Sequence, residues 1–159
     1  MAVVEVAPDP EVVELLLPPR PEVVSMARLV VGAVVAADPA FDEERSADVR
    51  LAVSEACTNA VEAQQAADPT EAILLRCAIA DGVVSLTVSD HGGGFDPDAL
   101  APHPDVGDPA RLEHESGLGI PLIRLLSDAV DFAVTKVGTT ITMTFEPRPA
   151  TTQTISQGR

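Results

Sequence analysis

The chain has 159 residues, of which 46% are hydrophobic and 3% aromatic, and it carries a formal net charge of −15. That length fits one domain burying roughly 68–70% of its unfolded surface, with a core drawn from Val, Leu, Ile and Ala. The charge argues against direct binding of nucleic acid, whose phosphates are gripped by clustered Lys and Arg. It is compatible with a basic protein partner, or with an anionic ligand whose charge a metal ion offsets.

Residues 1–11 are rich in proline and acids and read as a loose N-terminal segment. They hold no basic stretch ahead of an apolar run, so they do not read as a signal peptide. "VVELLLP", 12–18, reads as a short first strand that stops at Pro18-Pro19. Residues 21–37 open with Pro21 and repeat apolar side chains at 23, 24, 27, 30, 31 and 34, the spacing of a helix. The longest apolar run, 29–37, is too short to cross a membrane.

A second helix is expected over 42–65, with Asp42, Glu43 and Glu44 in the first turn, where the helix dipole favours acids. Two strands follow, about 71–79 and 83–89, turned by Asp81-Gly82. Residues 90–116 hold four prolines and no periodic pattern, which reads as a functional lid or a disordered segment. A helix over 118–127 and a closing hairpin, "VDFAVTK" and "TTITMTFE", complete a domain spanning 12–146. The tail 147–159 is polar and is expected to be disordered. Hairpins with a few clustered helices predict an α+β two-layer sandwich rather than a doubly wound sheet. Cys57 and Cys77 lie in apolar runs without metal or redox spacing, which predicts buried free thiols and a reducing, cytoplasmic setting.

Four segments carry candidate chemistry. In "SEACTNAVEA", Glu55 and Asn59 stand four residues apart and share one helix face. A carboxamide oxygen can hold a hard metal ion and a carboxylate can take a proton, although the same pair also fits a polar flank. In "SDHGGGFDP", Asp90 ends a strand and glycines follow. This is an ordinary turn, or a fixed carboxylate beside a bare wall that holds the amino group of a flat ring. In "SGLGIPLIRLL", Gly117 and Gly119 open a helix whose free N–H groups suit a phosphate, without the lysine of a P-loop. In "VGTTITMTF", a threonine hydroxyl at the start of the last strand can share a water with the ring held at Asp90.

In this order and spacing the four segments resemble the N box, D-x-G-x-G box, G-x-G box and closing Thr strand of the GHKL ATPases, and within them the bacterial anti-sigma-factor serine kinases. The resemblance implies an ATP-binding sandwich, with a mixed sheet covered by helices on one face. It assigns Glu55 as general base, Asn59 as the Mg2+ ligand, and Asp90 as the adenine-reading carboxylate, with Gly92 and Gly94 shaping its pocket. It places Gly117, Leu118 and Gly119 against the phosphates and Thr140 beside the adenine, and a lid arginine, Arg111, can meet the terminal phosphate. The implied activity is phosphorylation of a serine on a STAS-type anti-sigma-factor antagonist by a protein that also sequesters a sigma factor, with a homodimer as the implied assembly. A nucleotide-gated module that binds its partner with little catalysis is the alternative. A free-standing histidine kinase domain fits less well, because all three histidines lie from residue 91 onward. Where relatives often carry His-Ala after the N-box Asn, this chain has Ala63-Gln64.

Overall fold

The structure is a computed structural model that describes residues 10–93 and 118–149. Strand β1 (Glu11–Leu17) leads into helices α1 (Glu22–Ala36) and α2 (Glu43–Ala67). The hairpin β2 (Ile73–Ala80) and β3 (Val83–Ser89) follows, then α3 (Gly119–Leu126) and a second hairpin, β4 (Ala129–Thr135) and β5 (Gly138–Phe145). Every expected element is present.

The five strands form one sheet in the order β1-β2-β3-β5-β4. Each neighbouring pair is antiparallel, which corrects the mixed sheet implied by the resemblance. Two of the four pairings are hairpins, antiparallel by construction. The other two, β1 with β2 and β3 with β5, are long returns that also bring the chain back in the opposite direction. The β2–β3 turn has positive φ at both Asp81 (52°) and Gly82 (73°), the backbone of a type I′ turn whose twist matches the strands it joins.

Alternation along the strands separates two faces. Leu75, Cys77, Val84, Leu86, Val88, Ile141, Met143 and Phe145 are buried under the helices. The opposite face carries hydroxyls, with Ser89 bonded to Thr140 at 2.9 Å and Thr87 to Thr142 at 3.4 Å. Helix α2 supplies the matching stripe, Val49, Ala52, Val53, Ala56, Cys57, Ala60 and Val61, at helical spacing. Its start is fixed by Asp42, whose carboxylate accepts the Arg45 backbone N–H at 2.7 Å, a cap worth about 1 kcal/mol.

Arg45 itself is fully buried. Its guanidinium donates to the carbonyls of Leu126 (2.8 Å) and Glu146 (3.0 Å) and pairs with Asp48 (3.2 Å) and Asp128, while Phe145 lies 5.1 Å beneath it. One side chain thereby ties the start of α2 to the end of α3 and to both strands of the second hairpin. Beyond β5, the tail's Arg148 pairs with Asp48 at 3.0 Å. Among the described residues no helix is long and apolar enough to cross a membrane.

Candidate active site

The site lies where α2, the start of α3 and the ends of β3 and β5 meet. Glu55 and Asn59 project from one face of α2, half-buried. Gly119, buried in the first turn of α3, stands directly against them. A Cβ on Gly119 would sit 3.1 Å from Glu55 Oε2, 3.2 Å from Asn59 Nδ2 and 3.3 Å from Asn59 Oδ1. The two boxes, sixty residues apart in sequence, thus converge on one point, and the missing side chain of Gly119 lets them meet without crowding. Among the described residues no side chain caps α3, and first-turn N–H groups at a helix start suit an anion. Leu118, the N-cap residue, is partly exposed at that same end.

Asp90 lies one residue past β3 and is buried on the helix-covered side. Its backbone N–H donates to the Thr139 carbonyl at 2.9 Å and its carboxylate accepts the Gly92 N–H at 2.8 Å. Burial pushes the Asp90 carboxyl above its ordinary range, while the N–H groups of Gly92 and Thr139 and the charge of His91 act against that rise. A carboxylate held this way is a directed acceptor in a poorly solvated place.

Glycine is required on both sides of Asp90. A Cβ on Gly92 would lie 2.6 Å from the carbonyl and Cβ of Ala63 on α2, and one on Gly138 would overlap the Asp90 carbonyl oxygen. The sequence pointed to Gly92 but not to Gly138.

Thr140 is a correction. Its hydroxyl faces the open side of the sheet and is bonded to Ser89. The preceding residue, Thr139, is 2% exposed on the helix-covered side, and its Oγ1 has no hydrogen-bond partner among the described residues. Period-two alternation gives the reason: Thr139 shares the buried face with Ile141, Met143 and Phe145, and Thr140 cannot. That signal was already present in "GTTITMTF".

Gln64, which the sequence marked only as a departure from the family pattern, is also part of this end of the site. It is fully buried and bonded to the backbone N–H of His91 at 2.7 Å. Gly94, Arg111 and Gly117, with most of the expected lid, lie outside the described residues.

The arrangement offers two stations on one side of the sheet. A carboxylate just past β3 and a buried hydroxyl at the start of β5, unpartnered among the described residues, stand side by side. A carboxylate, a carboxamide and the first turn of α3 stand where α2 and α3 meet. The first suits the polar edge of a planar base. The second suits phosphates and a hard cation, which takes oxygen ligands such as the Asn59 carboxamide.

Comparison with known proteins identifies the family. The family model of the histidine kinase-like ATPase domain matches residues 17–145. The serine-protein kinase RsbW of Bacillus licheniformis is 32% identical over 136 residues, covering 83% of each chain. RsbW of Listeria monocytogenes serovar 1/2a is 34% identical over 122 residues, covering 74% of this chain and 76% of that one. The crystal structure of the RsbU and RsbW domains of Rv1364c from Mycobacterium tuberculosis superposes with a TM-score of 0.63 at 23% identity, over 86% of this chain and 32% of that one, a likeness of fold. The chain belongs to the histidine kinase-like ATPase domain family and, within it, to the serine-protein kinases typified by RsbW.

Proposed function

We propose that this protein kinase uses ATP with Mg2+ to phosphorylate a serine of a STAS-type anti-sigma-factor antagonist, and that it also sequesters a sigma factor. The observation that carries the reading is the convergence of Gly119 on Glu55 and Asn59. A carboxylate, a carboxamide oxygen and a helix start brought this close support a base, a metal ligand and a phosphate site acting on one transferring group. Membership of the RsbW family supports the choice of a serine hydroxyl as acceptor.

Phosphoryl transfer needs positioning and neutralised charge more than covalent help. A magnesium ion supplies that neutralisation when bound, and the Asn59 carboxamide oxygen is the residue that would hold it. Glu55 orients the serine hydroxyl and takes its proton as the oxygen bonds to the terminal phosphorus and the bond to the departing diphosphate breaks. Backbone N–H groups at the start of α3 hold phosphate oxygens, beside Leu118. Asp90 accepts from the amino group of adenine, and Thr139 rather than Thr140 offers the neighbouring hydroxyl. Gly94, Gly117 and Arg111 keep the lid and pocket roles drawn from the family pattern. The acidic surface favours basic protein partners over nucleic acid.

Calorimetric titration with ATP, with and without magnesium, on wild type and Asn59→Ala tests the site. Magnesium-dependent binding is expected, and lost in the variant. Glu55→Ala is expected to abolish phosphoserine on the antagonist while leaving sigma-factor binding intact. Undiminished phosphorylation by Glu55→Ala would remove Glu55 from the reaction.

A further inference from the structure

We infer that Gln64 is a positioning residue for base recognition: it fixes the backbone that aims Asp90. The inference rests on the reading of Asp90 as the adenine-binding carboxylate.

Gln64 is 0% exposed, and both ends of its carboxamide are engaged. Its Nε2 donates to the Asp68 carbonyl at 2.8 Å, at the end of its own helix, and its Oε1 accepts the His91 N–H at 2.7 Å, across to the segment after β3. A buried glutamine satisfied this way has one orientation, because exchanging its oxygen and nitrogen would set donor against donor and acceptor against acceptor. It is therefore a rigid strut between α2 and the residue next to Asp90.

Two neighbours make the strut consequential. Gly92 lies so close to Ala63, the residue before Gln64, that even a methyl group would stand 2.6 Å from the Ala63 backbone. On the other side, Gly138 makes room for the Asp90 carbonyl and the Asp90 N–H is bonded to Thr139. Asp90 is thus clamped between the end of α2 and the start of β5, with Gln64 supplying the directional bond on the α2 side. The His91 N–H belongs to the peptide that directly follows Asp90, so displacing it moves the backbone that carries the carboxylate.

Gln64→Leu keeps the side-chain volume and deletes both hydrogen bonds. The test compares dissociation constants for Mg-ATP, for the triphosphate of unsubstituted purine riboside, which lacks the amino group, and for inorganic tripolyphosphate. Wild type is expected to prefer ATP over the purine analogue at least tenfold. In Gln64→Leu that preference is expected to fall toward one, with KM for ATP raised about tenfold, kcat at saturating ATP within twofold, and tripolyphosphate binding unchanged. A general loss of structure would move all of these together. Should Gln64→Leu not fold, Gln64→Asn shortens the strut by one methylene and is expected to cut the base preference at least threefold. An unchanged preference in whichever variant folds overturns the inference. A wild-type chain that binds ATP no better than the purine analogue overturns the underlying reading of Asp90 instead.

Discussion

Gly119 and Glu55 meet so closely that a methyl group on the glycine would stand 3.1 Å from the carboxylate Oε2. The contact joins the start of α3 to the middle of α2, and it separates what stability needs from what the site needs. Gly119→Ala should improve helix propensity by up to about 1 kcal/mol, an amount that mild crowding offsets. The denaturation midpoint is therefore expected to stay within a few degrees of wild type. Glu55 and Asn59, however, must both give way by a few tenths of an ångström. Magnesium-dependent ATP affinity is expected to fall about tenfold, or about 1.4 kcal/mol, by calorimetry. Unchanged affinity would show that the phosphate end tolerates a side chain there.

Asp90 should trade stability for recognition. Its carboxyl is raised by burial above the ordinary value of 3.8, so the folded state disfavours the charged form. The associated loss of stability is absent below about pH 4 and grows as pH rises through the folded value. Asp90→Asn removes the charge but keeps an oxygen for the Gly92 N–H. Denaturation of the nucleotide-free variant is expected to occur at a higher temperature than wild type at pH 7, and the two to coincide near pH 3.5. ATP affinity is expected to drop at least tenfold at pH 7, because the carboxamide cannot match the acceptor strength of the carboxylate.

Arg45 is buried with four oxygen partners, so its removal takes the guanidinium from two carbonyls and leaves Asp128 with the Glu146 N–H but no cation. Arg45→Met is expected to cost about 3–5 kcal/mol in chemical denaturation. Arg45→Lys should recover little, since an ammonium cannot span partners set around a planar fork.

The two cysteines should report on global opening. Burial pushes the Cys57 thiol up to about 12 and the Cys77 thiol up to about 11, and both side chains are almost wholly shielded. An alkylating reagent at pH 8 is expected to label neither in the native protein and both in denaturant, because the thiolate is the reactive form. Rapid native labelling of either would mean that its element opens locally.

What could be read from the sequence was what depends on neighbours along the chain. The i, i+4 spacing put Glu55 and Asn59 on one face, Asp81-Gly82 gave the hairpin, and glycine next to Asp90 gave a close approach. What could not be read depends on residues far away. "EERSADVR" reads as a charged helix start, and nothing in it says that Arg45 is enclosed by carbonyls eighty and a hundred residues later. Gln64 looked like a missing family residue because its partner, a backbone N–H, has no sequence signature. The direction of the β3–β5 return was likewise invisible in residue pattern, and the mixed sheet was expected from the family resemblance alone. Thr139 is different: alternation distinguished it from Thr140, and only the family pattern drew attention to its neighbour.

The β3–β5 pairing also fixes the order in which the molecule can be made. Each hairpin closes through a tight turn, whereas Ser89 and Thr140 meet across 51 residues. Loop-closure entropy makes that second kind of encounter roughly 2–3 kcal/mol harder. The hairpins can therefore form early and drift as separate pieces. Asp90 and Thr139, one on each piece, become neighbours only when the pieces dock. A refolding chain should accordingly regain most of its far-ultraviolet circular dichroism before it can hold a fluorescent adenine nucleotide, and base recognition would be the last property to return.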